Sequence, residues 1–95
     1  MKQYGKSLQR LSGTIYESNI ALPGVPIVEL AGDRRVLIEN HRGVTEYGME
    51  RICVKVNYGI LCISGCEMEL AQMTKDQLVI TGQIESVMIQ RGEQQ

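Results

Sequence analysis

The chain has no phenylalanine and no tryptophan, and its only aromatic side chains are four tyrosines. A core without wide flat rings must be filled by Ile, Leu, Val and Met, and the stacking platforms used by single-stranded nucleic acid binders are scarce. The formal net charge is −1, so there is no cation excess to neutralise a phosphate backbone, and nucleic acid is not an expected partner. No run approaches the roughly 18 apolar residues that cross a bilayer, and the amino terminus lacks the continuous apolar stretch of a signal peptide. Neither a membrane span nor export by that route is expected. Cys53, Cys62 and Cys66 form no C-x-x-C pair and stand at no zinc-site spacing from the single histidine. Reduced thiols in a reducing, cytoplasmic compartment are therefore expected, with no metal and no cofactor.

What is present is glycine at a near-regular interval. Gly32, Gly48, Gly65 and Gly82 lie sixteen, seventeen and seventeen residues apart, and Val28 with Leu30, Leu61 with Ile63, and Leu78 with Ile80 precede three of them at strand spacing. Gly48 fits in part only, because Glu46 stands where a second apolar residue belongs. Short β-branched segments bounded by Gly, Asp or Asn fall at residues 27–30, 35–40, 44–47, 51–56, 59–64, 67–72, 77–81 and 83–89. This pattern predicts an all-β domain over residues 21–95, with about eight short strands forming a sandwich, a roll or a short solenoid-like core. A chain of 95 residues buries roughly 60 to 65% of its unfolded surface, enough for a single core without staples.

Ahead of that domain, Met1, Tyr4, Leu8, Leu11 and Ile15 recur at steps of three and four, so residues 1–20 read as an amphipathic helical leader. Its apolar stripe serves either to cover a face of the sheet or to meet a membrane surface or a partner's groove. Leu22-Pro23-Gly24-Val25-Pro26 then breaks any helix.

One hairpin can be registered from the sequence. Ile52, Val54 and Val56 share a face with Leu61 and Ile63, which requires an even loop around Asn57-Tyr58 and pairs Val54 with Leu61 and Ile52 with Ile63. Cys53 then stands opposite Cys62 on the other face, where a cross-strand disulfide is geometrically conceivable although free thiols are expected. Past Gly65 the apolar positions change from odd, at Leu61 and Ile63, to even, at Met68 and Leu70. Such a phase change marks a bulge, tight bend or corner. At Gly82 the change comes later, between Ile84 and Val87. Met68, Met73 and Met88 read as core filler, and Glu67, Glu69 and Glu85 as a solvated face.

The densest polar group is Glu39-Asn40-His41-Arg42-Gly43. An enzyme would use His41 as a general base oriented by Glu39 or another carboxylate, yet no nucleophile is tied to it by any motif, so no catalytic residue is assigned. As a turn, Asn40 and Gly43 supply the unusual backbone, and His41 and Arg42 project as a polar knuckle suited to recognising another protein.

Leu22 to Pro26, Glu29-Leu30, Gly32, Arg35 to Val44, Tyr47, Gly59 to Leu61, Ile63 to Gly65 and Leu78 to Gly82, in that order, resemble the YabP/YqfC family of sporulation proteins, the YqfC-like branch most closely. The most specific part is Ile38-Glu39-Asn40-His41-Arg42-Gly43. The resemblance implies a non-enzymatic protein of endospore-forming Bacillota, made in the mother cell and linked to late cortex or coat formation. It also implies a membrane-anchored sporulation protein as partner, with membrane contact at most peripheral, at the outer forespore membrane. The alternative is a structural subunit that stacks through strand edges into a homo-oligomer or filament of the spore envelope.

Overall fold

The computed structural model describes residues 24–92, and the leader helix expected over residues 1–20 lies outside them. Within these residues there are six strands: β1 (Ile27–Ala31), β2 (Arg35–Glu39), β3 (Val44–Tyr47), β4 (Arg51–Val56), β5 (Gly59–Met73) and β6 (Gln77–Arg91). They form one sheet in the order β1-β2-β6-β5-β4-β3, and every neighbouring pair is antiparallel.

Eight strands become six because the last two glycines interrupt strands without ending them. Segments 59–64 and 67–72 are one strand, β5, and segments 77–81 and 83–89 are one strand, β6. The solenoid alternative is also excluded for the described residues, since stacked solenoid turns pair in parallel and these strands do not.

β5 and β6 stay paired through three register shifts, at Ser64/Gly65, Cys66/Glu69 and Leu70/Gln72. The first inserts Glu85 into β6 and accounts for the change of apolar phase between Ile84 and Val87. The second sets Glu67 and Met68 opposite Gly82, with Glu67 at φ 50° and Gly82 at φ 142°. Extra residues bend a strand and sharpen its twist, and here both long strands bend at the same place.

The bend leaves main-chain donors that two turns satisfy. Gly65 and Met68 donate to the carbonyls of Glu50 and Met49 in the β3–β4 turn, at 3.1 and 2.9 Å. Gly82 and Ile84 donate to those of Arg34 and Asp33 in the β1–β2 turn, at 3.2 and 2.7 Å. Asp33 and Arg34 thus lie in the turn, and Arg35 opens β2. Gly32 and Gly48 belong to the two turns, and Gly65 and Gly82 to the bends those turns close.

Across the bend, Val36, Ile38, Leu78, Ile80 and Met68 of one half join Ile52, Val54, Val56, Leu61 and Ile63 of the other in a single buried cluster. The sheet therefore folds onto itself and supplies both walls of its own core. Of the three methionines read as filler only Met68 is buried; Met73 and Met88 are each 48% exposed. Glu67, Glu69 and Glu85 are exposed, as expected of a solvated face.

Candidate functional site

The polar knuckle sits at one end of the folded sheet, where four chain segments meet. Asn40 leaves β2 at φ 65°, a left-handed conformation that asparagine tolerates better than most residues. Its N–H donates to the Asp76 carbonyl at 2.6 Å, and its Nδ2 donates to the Val25 carbonyl at 2.8 Å. Asn57, in the β4–β5 turn, donates from Nδ2 to the Gly24 carbonyl at 3.3 Å. Residues 24–25, 40–43, 57 and 74–76 are thereby tied together, and the chain following the leader enters at this junction.

His41 turns inward and is 8% exposed, so the knuckle expected to project both His41 and Arg42 projects Arg42 alone. The Gly43 N–H donates to Nδ1 of His41 at 3.0 Å. With Nδ1 accepting, the ring proton lies on Nε2, which donates to the Thr74 carbonyl at 3.0 Å. Both nitrogens are thus taken up by main-chain groups, and the ring pins the β2–β3 turn to the β5–β6 turn. Glu39 does not orient it; its Oε2 accepts from Nε2 of Gln77 at 3.0 Å. Arg42 and Gly43 exchange main-chain hydrogen bonds with Lys55, each 2.8 Å long, which extends the β3–β4 ladder and fixes the main chain that carries the exposed Arg42.

Sequence reasoning missed Thr74, Asp76 and Val25, each contributing a carbonyl. Main-chain acceptors leave no trace in residue type. Oγ1 of Thr74 accepts from the N–H groups of Asp76 and Gln77, at 3.3 and 3.1 Å, as in a threonine-initiated turn.

A second polar cluster lies on the outward face of β4 and β5. The register expected from the hairpin holds, with Val54 opposite Leu61, Ile52 opposite Ile63 and Cys53 opposite Cys62. A register shift in β3 between Val44 and Glu46 sets Glu46, in place of Thr45, opposite Cys53. That bulge explains a carboxylate where strict alternation calls for an apolar residue. Arg51 Nε lies 3.4 Å from Glu46 Oε1, and its Nη2 donates to the Cys62 sulfur at 3.5 Å. The Cys53 thiol donates to Glu46 Oε1 at 3.6 Å.

Burial pushes the Cys53 thiol up to about 11, aided by the hydrogen bond with Cys62. Folding thus favours the neutral thiol. The reduced protein should keep full stability from this group below the ordinary thiol value near 9 and lose it as pH rises toward 11, where the unfolded chain ionises first. Denaturant midpoints measured across that window should fall, and Cys53→Ser should flatten the fall. An equal slope in both proteins would refute the assignment.

Among the described residues no group of three or more His, Cys, Asp or Glu side chains is placed to hold a metal ion, and no helix is long and apolar enough to cross a membrane. Two open hollows of about 330 and 370 Å³ flank the bends, one lined by Leu30, Asp33 and Ile84 and the other by Glu46, Met49 and Arg51. His41 lines neither.

Searches of curated proteins and of solved structures find no match to the chain. A family model does match, over residues 25–95, which takes in all six strands, the knuckle and both bends. By that match the chain belongs to the YabP family.

Proposed function

We propose that this YabP-family chain is a non-enzymatic sporulation protein of the mother cell, acting in late cortex or coat formation as a small module that docks on a membrane-anchored sporulation partner. The finer placement in a YqfC-like branch rests on the resemblance from about Leu22 to Ile89, of which Ile38 to Gly43 is the most specific part. The observation that carries the docking reading is the convergence at one end of the sheet. Arg42 is held out on a turn whose neighbours are hydrogen-bonded on every side, and Gly24, which follows the leader, is bonded to the same end. A tip held rigid in this way offers a partner a preorganised surface, and preorganisation lowers the entropy lost on binding. In this reading the protein works in the mother-cell cytoplasm, peripherally at the outer forespore membrane.

Affinity capture from sporulating cells tests it. Full-length bait should recover a membrane protein that is lost with Arg42→Glu and with deletion of residues 1–20. His41 is unsuitable for this test, because its ring is part of the fold. Unchanged recovery with both altered baits would remove the docking reading.

The outermost strands favour a second reading, self-assembly into an envelope homo-oligomer or filament. β1 and β3 have no outer neighbour among the described residues, and Leu30 and Tyr47 on them are 55% and 59% exposed. Unpaired edges with apolar side chains are templates for further pairing. Light scattering over a concentration series separates the two: growth in mass supports assembly, and a constant monomer supports docking alone.

A further inference from the structure

The Cys53 and Cys62 sulfurs lie 2.6 Å apart, well inside ordinary sulfur–sulfur contact and a short shift from the bond length of about 2.05 Å. Both thiols are free. Their surroundings differ by one group. Arg51 donates to the Cys62 sulfur and its guanidinium lies close to Cys53 as well, but only Cys53 has a carboxylate partner, its thiol donating to Glu46 Oε1. The Arg51 and Glu46 side chains beside them are themselves paired and about half exposed, while both cysteines are buried. Cys66 stands apart, its thiol turned toward Glu85 Oε2 at 3.8 Å.

We propose that Cys53 and Cys62 form a reversible cross-strand disulfide on reaction with hydrogen peroxide, with Cys62 as the attacking sulfur and Cys53 as the sulfur that closes the bond. A cation beside a sulfur stabilises the negative charge needed for attack, and a carboxylate beside a thiol receives its proton. In the first step the Cys62 sulfur attacks one peroxide oxygen. A sulfur–oxygen bond forms, the oxygen–oxygen bond breaks, and the departing hydroxide takes up the proton released by the Cys62 thiol and leaves as water. In the second step Cys53 attacks the Cys62 sulfur of the resulting sulfenic acid. The sulfur–oxygen bond breaks, and the Cys53 proton passes by way of Glu46 to the departing hydroxide, giving a second water. The two sulfurs together lose two electrons, and the peroxide gains them. The site is separate from the Arg42 end and does not depend on the docking reading.

The experiment uses the full chain carrying Cys66→Ser, reduced and then treated with a small molar excess of hydrogen peroxide. Intact mass should fall by two hydrogens, and both thiols should become unreactive to maleimide in denaturant. Trypsin cuts after Arg51 and Lys55, so peptides 52–55 and 56–75 should appear joined and should separate with dithiothreitol. Thermal unfolding of the oxidised form should rise by about 10 °C over the reduced form. With Cys53→Ser, a dimedone adduct should accumulate on Cys62; with Cys62→Ser, Cys53 should form that adduct at least about tenfold more slowly. Two free thiols after treatment, or a gain of two oxygens without joined peptides, would overturn the disulfide. Equal adduct rates in the two variants would overturn the assigned order of attack.

Discussion

Gly82→Ala is expected to cost about 3 kcal/mol or more, and Gly65→Ala a similar amount, a large share of the stability of a domain of this size. A β-carbon at Gly82 would stand 2.7 Å from the Glu67 carbonyl oxygen and 2.7 Å from the Met68 Cα. Both are backbone atoms that cannot swing aside, and the glycine also has φ 142°, which side-chain-bearing residues rarely adopt. At Gly65 the added carbon would overlap the Gln83 carbonyl, with the Ile84 Cα 3.1 Å away. The two long strands approach here more closely than a methyl group permits. To accommodate one they must part, which would also pull Gly65, Met68, Gly82 and Ile84 from the turn carbonyls that satisfy them. By contrast, Gly48→Ala meets only the Arg51 carbonyl oxygen at 3.6 Å, an ordinary contact, and should change stability by less than about 0.5 kcal/mol. Gly32→Ala meets no atom within 4 Å but sits at φ 58°, so about 1 kcal/mol is expected. Urea unfolding of the four variants measures the contrast. Comparable losses at all four sites would mean that the glycines serve turns alike and that the bend is not where the fold is most constrained.

His41→Ala should lose about 2 to 3 kcal/mol, an effect out of proportion to a turn residue, because it removes both ends of a bridge between two turns. The Gly43 N–H and the Thr74 carbonyl would each lose a partner in a part-buried contact. His41→Phe fills the space and meets neither group, so it should be no better than alanine. His41→Gln carries one donor and one acceptor and should recover part of the loss. Amide hydrogen exchange adds a local readout, since the Gly43 amide should lose protection in the alanine and phenylalanine variants before the β4–β5 strands do. Arg42→Ala, one residue away on the exposed side, should leave stability within about 0.5 kcal/mol of the parent. If phenylalanine restored full stability, His41 would be serving by its volume and not by its two nitrogens.

These two expectations separate residues that look equivalent along the chain. Glycines at a near-constant interval pointed correctly to an all-β domain, and the change of apolar phase at Gly65 and beyond Gly82 pointed correctly to inserted residues. Whether such a glycine ends one strand or bends a longer one depends on what lies across from it. β5 and β6 continue through their glycines because each bend faces the other and a turn carbonyl waits for each exposed amide. The same limit applies at the knuckle. His41 and Arg42 are adjacent polar residues, and which of them turns inward is decided by the Thr74 carbonyl, 33 residues away along the chain.

Alternation and loop parity alone determined the strand-rich class, the β4–β5 register and the opposition of Cys53 to Cys62, because those follow from a period of two that each strand carries within itself. Tertiary structure decided the merging of eight segments into six strands, the folding of the sheet on its own face, the burial of His41 and the placing of Glu46 beside a cysteine. Each of these depends on a close approach between parts of the chain distant in sequence, or on an extra residue that shifts a strand by one position, and neither is written in the local pattern of apolar and polar side chains.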